Sequence, residues 1–208
     1  MDKEIILVGG FHEIIELCEE IGYKIIGIID NNLKESYWGY PIIGTDNMIK
    51  IISQDYKHIP LVITPDLPST RKKLFLEYSK YGFEFETIIS PTAKISKSSI
   101  IGTGAIIQHQ VNVSSNVKIG NFTKLNVGCN VMHDSIIGNF VTIAPNAVIL
   151  GRVNIGDSTY IGANSTILPD KSIGENVIVG AGAVVTKDLT HNGIYAGCPA
   201  MLKKFSNK

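Results

Sequence analysis

Residues 137–156 read IGNFVTIAPNAVILGRVNIG, and this stretch decides the fold. An aliphatic residue recurs at every sixth position, at Ile137, Ile143, Ile149 and Ile155. The same register continues in both directions without an exception, so that residues 89–185 carry seventeen aliphatic positions in a row. A period of six matches neither the 3.6-residue period of a helix nor the two-residue period of a long strand. It predicts short strands that alternate with corners.

The glycines of this region add a longer period. Gly102, Gly120, Gly138, Gly156 and Gly174 each follow an aliphatic position and are spaced 18 residues apart. Three six-residue units therefore close one triangular coil, and about five and a half such coils stack into a parallel β-helix. We expect the aliphatic side chains to point into the prism, with a small or β-branched residue packed beside each one. Glycine is expected to supply backbone freedom and little bulk at the corner.

Residues 1–86 lack this period and predict a separate α/β domain. Residues 4–8 and 25–29 are apolar runs typical of buried strands, and residues 13–21 between them have the periodicity of a helix. A further strand is predicted at residues 61–64. A strand, helix and strand in succession indicate a parallel sheet.

Two features of this α/β domain suggest a nucleotide site. Gly9 and Gly10 break the first strand just before the helix, whose N-terminus favours a phosphate group. Asp30 follows the second strand, where dinucleotide-binding folds carry the acid that contacts a ribose. The full glycine fingerprint is absent, and these glycines alone favour the alternative interpretation, an ordinary strand–helix turn. A further helix is predicted over residues 69–81, opened by a cap at Ser69.

Composition and charge exclude several classes of function. The 208 residues carry 19 basic and 19 acidic side chains, which offers no electrostatic attraction to nucleic acid or to an anionic membrane. No apolar run reaches the length of a membrane span, and residues 1–4 do not begin a signal peptide. The three cysteines, Cys18, Cys129 and Cys198, have no pairing pattern. We therefore expect a cytoplasmic protein with free thiols.

Several motifs in the β-helix resemble those of a known enzyme family. They are His133-Asp134, Ile143-Ala144-Pro145, Gly151-Arg152-Val153, residues 179–185 (VGAGAVV) and residues 196–200 (AGCPA). The chain resembles the bacterial nucleotide-aminosugar N-acetyltransferases and their sialic acid O-acetyltransferase relatives. The resemblance implies a small Rossmann-like domain over residues 1–86 and a left-handed β-helix with a C-terminal loop over residues 87–208. It also implies acetyl-CoA as co-substrate, a nucleotide-linked aminosugar as acceptor, and a homotrimer with active sites between subunits.

The same resemblance assigns a role to individual residues. His133 corresponds to the catalytic base, Asp134 to the acid that tunes it, and Asn126 to a residue that faces the sugar. Gly151 corresponds to a glycine whose N–H approaches the thioester carbonyl. The implied contacts to the nucleotide end of the acceptor are Gly9, Gly10, His12 and Asp30. The implied contacts to acetyl-CoA are Thr142, Gly151, Gly180, Ala181, Gly197 and Pro199.

The residues fit direct acetyl transfer, with other functions still open. A histidine suits the removal of a proton from an amine near neutral pH, and a backbone N–H suits the oxyanion, so that no metal is required. His109 shares the repeat phase of His133, and Cys129 falls in the small core column. A zinc enzyme would need three convergent histidines. The remaining alternatives are sugar O-acetylation and a β-helix that binds a nucleotide sugar without turnover.

Overall fold

The computed structural model describes residues 3–205, which form two compact units. One unit comprises the chain up to Asp66 together with Thr70–Ile88, and the other comprises Leu67–Ser69 and the chain from Ile89 onward. The first holds a mostly parallel sheet with helices, and the second holds a parallel β-helix. The predicted fold class is therefore confirmed. The division of roles between domains 1–86 and 87–208 stays a prediction.

The first unit is built on a five-stranded sheet with the strand order β3-β4-β2-β1-β5. Its strands are β1 Lys3–Val8, β2 Tyr23–Ile29, β3 Ser36–Tyr37, β4 Tyr40–Gly44 and β5 Leu61–Ile63. Strand β3 pairs antiparallel with β4, and the other pairings are parallel. Four consecutive residues of β1, from Ile5 to Val8, are buried. A strand that is buried on both faces needs such an unbroken apolar run, and this run is what predicted the strand from the sequence.

The helices of this unit are α1 His12–Glu20, α2 Ile49–Tyr56 and α3 Pro68–Tyr78. Single 3-10 turns cover Asp46–Met48 and Ser79–Tyr81. Helix α1 buries Ile14, Ile15, Leu17 and Cys18 along one face, as its periodicity predicts. The predicted cap at Ser69 is wrong, because the helix begins one residue earlier, at Pro68. Proline suits a first helical position, where its missing N–H would have no partner in the helix.

Seventeen two-residue strands lie between residues 88 and 185, one for each repeat, and the first of them begins at the boundary of the two units. They are β6 Ile88–Ile89, β7 Lys94–Ile95, β8 Ile100–Ile101, β9 Ile106–Ile107, β10 Asn112–Val113, β11 Lys118–Ile119, β12 Lys124–Leu125, β13 Asn130–Val131, β14 Ile136–Ile137, β15 Thr142–Ile143, β16 Val148–Ile149, β17 Asn154–Ile155, β18 Tyr160–Ile161, β19 Thr166–Ile167, β20 Ser172–Ile173, β21 Ile178–Val179 and β22 Val184–Val185. Each strand pairs in parallel with the strand 18 residues away, as Val131 does with Val113 and Ile149. The predicted coil length is therefore confirmed.

The strands form the three faces of a prism. We call the turns after β6, β9, β12, β15, β18 and β21 the first corner, those after β7, β10, β13, β16, β19 and β22 the second corner, and those after β8, β11, β14, β17 and β20 the third corner. Strand β23 Gly193–Ala196 extends the first of these sheets in parallel, and β24 Met201–Phe205 closes it antiparallel to β23.

The second residue of each strand points into the prism, and the buried core runs from Ile107 to Tyr195. Ile89 departs from this pattern, because 36% of its surface is exposed while Ile88 is buried. A coil buries its aliphatic residues against the coils above and below it. The first repeat lacks a coil on one side, so the end of the stack covers it poorly.

The predicted role of the corner glycines needs one correction. Gly120 and Gly138 do not have positive φ, and a Cβ at Gly120 would lie 2.5 Å from the carbonyl of Gly138. These glycines therefore permit the close approach of successive coils and do not supply backbone freedom. The left-handed conformation falls two residues later, at Phe122 and Phe140, with φ of 54° and 56°, and at the same repeat phase of the second corner, as at Asp134 with φ of 60°. The repeat therefore imposes the left-handed turn on residues of several types, of which aspartate tolerates this region better than phenylalanine.

Candidate active site

His133 lies at the second corner, two residues beyond the inward-pointing Val131. Its carbonyl accepts the Arg152 N–H at 2.9 Å, and the N–H of Asp134 donates to Ser115 O at 3.0 Å. Both bonds join positions of neighbouring coils, so the backbone of this corner is held from above and below. The His133 and Asp134 side chains are 46% and 45% exposed. They project outside the prism, as the repeat phase predicts.

The imidazole of His133 is oriented by its neighbour. Its Nδ1 lies 2.8 Å from Oδ2 of Asp134. Hydrogen bonds from Asn116 and from His133 hold the pKa of the Asp134 carboxyl below its usual range. An ionised carboxylate can only accept, so the neutral imidazole carries its proton on Nδ1. The lone pair is then on Nε2, which faces away from Asp134 and is free to take a proton.

Gly151 lies one coil above His133 and against its ring. A Cβ on Gly151 would lie 2.7 Å from both Cε1 and Nε2 of His133, which is closer than carbon atoms can approach. The absence of a side chain therefore lets the ring edge rest on the backbone. Among residues 3–205, no acceptor takes up the Gly151 N–H. The structure thus brings together a basic nitrogen and a free backbone donor, which are the two groups that acyl transfer requires.

Asn126 lies at the first corner and is separate from His133 within one chain. It is 4% exposed, and its Nδ2 has no hydrogen-bond partner among the described residues. Gln108, one coil below, accepts the Val127 N–H at 3.0 Å. An amide donor that is buried without a partner costs free energy unless a ligand or water satisfies it. The predicted contact of Asn126 with a sugar stays a prediction.

The predicted acetyl-CoA residues fall into four places. Thr142 is buried in β15, and Gly180 and Ala181 form the first corner after β21. Gly197 and Pro199 lie in the loop between β23 and β24, where Gly197 O accepts the Val184 N–H at 3.0 Å. Gly151 lies at the second corner, against the His133 ring.

The predicted nucleotide residues of the first unit meet at the carboxyl ends of β1 and β2. Asp30 Oδ2 accepts the Gly10 N–H at 2.9 Å, and Oδ1 accepts those of Asn32 and Leu33 at 2.8 and 3.1 Å. Burial alone would raise the pKa of Asp30, but these three hydrogen bonds outweigh it and lower the pKa. Gly9 has φ of 95°. Gly9 and Asp30 both line a cavity of about 180 Å³, so the turn and the acid share one concave site.

His12 belongs to an aromatic cluster that the sequence analysis did not single out. Its ring stacks on Trp38 with centroids 5.3 Å apart, and its Nδ1 lies 3.4 Å from the hydroxyl of Tyr37. Trp38 is 55% exposed at the turn between β3 and β4. In the sequence, a tryptophan directly before a glycine, shortly after Asp30, was the signal that could have indicated this cluster.

The polar side chains in the coils next to Asp134 were also not predicted from the sequence. Asn116 donates to Asp134, and Arg152 pairs with Asp170. Each lies 18 residues from the next, so counting one coil backward and two coils forward from Asp134 would have found them.

Other reactive groups are placed away from this arrangement. Cys129 is buried in the core, and burial raises its pKa to about 12, which suits packing and not nucleophilic attack. His109 makes a 2.8 Å hydrogen bond to the Ser90 hydroxyl. Within residues 3–205, no three histidine, cysteine or acidic side chains converge so that they could hold a metal ion. In the same range, no helix has the length and apolar character that a membrane crossing requires.

The β-helix matches a known repeat family. The model described as bacterial transferase hexapeptide (six repeats) matches residues 116–151 and 152–187. These matches include His133, Asp134 and Gly151. None of the curated proteins gives a sequence match to the chain.

Solved structures resemble the chain over almost its whole length. WeeI from Acinetobacter baumannii is 30% identical, with a TM-score of 0.88 and coverage of 96% of this chain and 99% of that chain. A variant of perosamine N-acetyltransferase from Caulobacter crescentus, in complex with CoA and GDP-perosamine, is 26% identical, with a TM-score of 0.91 and 96% coverage of both chains. The acetyltransferase domain of PglB from Neisseria gonorrhoeae, in complex with acetyl coenzyme A, is 25% identical, with a TM-score of 0.89 and coverage of 98% and 100%.

Proposed function

The chain belongs to the hexapeptide-repeat nucleotide-aminosugar acetyltransferases, and we propose that it moves an acetyl group from acetyl-CoA to the amino group of a nucleotide-linked amino-dideoxy sugar. It is a CoA-dependent N-acetyltransferase, and its partners are acetyl-CoA and an aminosugar. One observation carries the proposal for the chemistry. The His133 ring is held by Asp134 at Nδ1 and rests on Gly151 at the edge that carries Nε2.

In the proposed mechanism, His133 acts as general base without a covalent intermediate. Its Nε2 accepts a proton from the sugar amine as the nitrogen attacks the thioester carbonyl. The Gly151 N–H donates to the oxyanion of the tetrahedral intermediate. When the C–S bond breaks, the protonated His133 returns the proton to the departing CoA thiolate. The C–N bond replaces the C–S bond, and the enzyme regains its starting protonation state.

Asp134 has a supporting role in this mechanism. Its carboxylate keeps the Nδ1 proton in place, so the lone pair stays on Nε2, and it stabilises the imidazolium that forms during attack. Because both side chains are about half exposed, solvent screens this interaction and the effect is chiefly on orientation.

The first unit is proposed to bind the nucleotide. The N-terminus of α1 begins directly after Gly9 and Gly10, where backbone N–H groups can receive a phosphate. Asp30 and His12 border the same region, and the concave site beside Asp30 supports a role in holding the ribose or base. One carboxylate oxygen of Asp30 has a single donor, which leaves room for a further hydrogen bond from a ligand.

We also propose a homotrimer. His133 lies at the second corner, whereas Asn126, Gly180 and Ala181 lie at the first corner of the same chain. Parallel prisms packed side by side would place one chain's first corner near another chain's second corner, which would complete a site with residues from two subunits. Sedimentation equilibrium at micromolar concentration tests this assembly, and a monomer would contradict both the trimer and the shared site.

The decisive experiment measures turnover with a panel of acceptors. Purified protein is incubated with acetyl-CoA and either a UDP-, dTDP- or GDP-linked amino-dideoxy sugar or sialic acid, and free CoA thiol is followed with a chromogenic disulfide. We expect thiol release with at least one acceptor and a product that is heavier by one acetyl group. The product should survive mild base, because amides resist conditions that cleave esters. A base-labile product, or release only with sialic acid, would indicate O-acetylation. Binding of a nucleotide sugar without thiol release would indicate a non-catalytic protein.

A further inference from the structure

Four polar side chains form a column along the second corner. Asn116, Asp134, Arg152 and Asp170 each stand three residues beyond an inward-pointing aliphatic residue, in successive coils. All four have left-handed backbone conformation, with φ between 57° and 60°. Equal backbone geometry in stacked coils points the side chains in similar directions, so each can contact the one 18 residues away. The order from Asn116 upward is donor, acceptor, donor, acceptor.

Asn116 occupies one oxygen of Asp134 and leaves the other for the base. The Asn116 Nδ2 donates to Asp134 Oδ1 at 2.8 Å, while His133 Nδ1 lies 2.8 Å from Asp134 Oδ2. Asn116 is itself held, because its N–H donates to the Ser98 hydroxyl at 2.9 Å. A carboxylate on an exposed corner could otherwise rotate about its own bond. Two donors on its two oxygens restrict this rotation and hence fix the position at which Oδ2 meets the imidazole Nδ1.

Arg152 is the group that could disturb this arrangement. It lies directly above Asp134, but its guanidinium pairs with Asp170, with Nε to Oδ1 at 2.6 Å and Nη2 to Oδ2 at 3.0 Å. Paired donors on a guanidinium match a carboxylate closely, and this fork geometry favours the Asp170 contact. Without Asp170, the nearest carboxylate in the column is Asp134. Arg152 would then compete with His133 for Asp134 Oδ2.

We propose that Asn116 and Asp170 are positioning residues for the acetyl transfer: Asn116 turns the Asp134 carboxylate towards His133, and Asp170 keeps Arg152 away from it. This inference rests on the proposed function of His133 as the base. Neither residue is expected to touch the substrates. Both act through the orientation of the imidazole, so their loss should lower kcat with little change in either KM.

The first test compares Asn116→Ala with Asn176→Ala. Asn176 is exposed, lies at the third corner and has the same left-handed conformation, with φ of 55°. Both substitutions therefore place alanine in the same unfavourable backbone region. We expect kcat to fall about threefold to tenfold for Asn116→Ala, the range of one hydrogen bond, and to hold for Asn176→Ala. An equal kcat for the two variants would overturn the role of Asn116.

The second test uses rescue. Asp170→Ala should lower kcat by a similar factor, and the double variant Asp170→Ala with Arg152→Ala should recover most of it. A merely structural role predicts the opposite, because removal of a second side chain would add to the damage. An unaltered kcat in Asp170→Ala, or a double variant as slow as the single one, would overturn the role of Asp170.

A measurement that needs no turnover separates this inference from the proposed function. The ¹⁵N shifts of the His133 ring in labelled protein report which nitrogen carries the proton. We expect Nδ1–H to dominate in the wild type and to lose population in Asn116→Ala. If wild-type protein turns over no aminosugar while the ring shifts respond as stated, the proposed function fails and the positioning contact stands. If turnover is present and neither kcat nor the ring shifts respond, the positioning inference fails alone.

Discussion

His133 and His109 occupy the same place in the repeat but have different surroundings. Each stands two residues beyond an inward-pointing aliphatic residue, His133 at the second corner and His109 at the first. His133 has a carboxylate at 2.8 Å, whereas His109 has the Ser90 hydroxyl at the same distance. Above His133 lies Gly151, while the residue one coil above His109 is Val127, which carries a side chain. The phase in the repeat therefore places both rings at corners, and the side chains that surround each ring set its chemistry.

Replacing each histidine in turn tests this difference, and the fall in kcat at His133 should be the largest change of all. His133→Asn keeps size and polarity but removes the group that takes a proton near neutral pH. We expect kcat to fall by about 10² to 10⁴, with acetyl-CoA affinity and melting temperature nearly unchanged because the side chain is exposed. His109→Asn is the matched control and should keep kcat. The measurement is kcat against pH with one accepted sugar nucleotide.

One result would contradict the different roles expected for the two histidines. If His133→Asn retained nearly wild-type kcat and the same pH profile, His133 would not be the base, and His109 would be the next residue to test.

A methyl group on Gly151 tests whether the contact with His133 matters. The new Cβ would lie 2.7 Å from the ring and would force the imidazole to move. A displacement of about 1 Å can cost up to a hundredfold in rate, so we expect kcat to fall about tenfold to a hundredfold. Gly174→Ala is the control, because the nearest atoms to its Cβ would be backbone atoms of Leu189 and Thr190, with the two carbonyl oxygens at 3.3 Å. Equal kcat values for the two variants would show that the imidazole can move without loss of activity.

Asp30 and Asp134 offer a second contrast, between the two units. The Asp134 carboxylate is held by two side chains, whereas that of Asp30 accepts three backbone N–H groups. We expect Asp30→Ala to raise the KM for the sugar nucleotide about tenfold to a hundredfold and to spare the KM for acetyl-CoA. Part of the loss would come from a loosened Gly10 turn. Asp55→Ala, on the exposed side of α2, is the control. An unchanged sugar-nucleotide KM would exclude Asp30 from the acceptor site.

The smallest expected effect is the acid dependence of stability. Because the pKa of Asp30 is lowered in the folded state, the unfolded chain binds the proton first as the pH falls. The contribution of Asp30 to stability is therefore present above the ordinary aspartate pKa of about 3.9 and is lost as the pH drops through the lower folded value. Urea unfolding of wild type and Asp30→Asn should differ most near neutral pH, and the difference should narrow towards about pH 3. A constant difference across this range would contradict the linkage.

The sequence predicted the elements more reliably than their chemical details. Residues 13–21 were expected to be helical, and α1 covers His12–Glu20. The helix at residues 69–81 was predicted with a cap at Ser69, but α3 begins at Pro68. Both residue types are common at a helix start, so the sequence alone did not decide between them. The corner glycines were expected to supply backbone freedom, but they permit the contact between coils. The local sequence pattern identifies a helix or strand. The position of a cap and the role of a glycine depend on the neighbouring residues in the folded structure.

The sequence by itself determined the β-helix, its 18-residue coil and the exposure of His133 and Asp134. A regular apolar period can be buried in only one way, and that requirement acts on each repeat locally. Only the tertiary structure decided which corner side chains meet. The contacts of Asn116 with Asp134, of Arg152 with Asp170, and of the His133 ring with Gly151 join coils 18 residues apart. Each of them depends on side-chain rotamers and on the stacking of backbone, which are three-dimensional properties that a one-dimensional period does not contain.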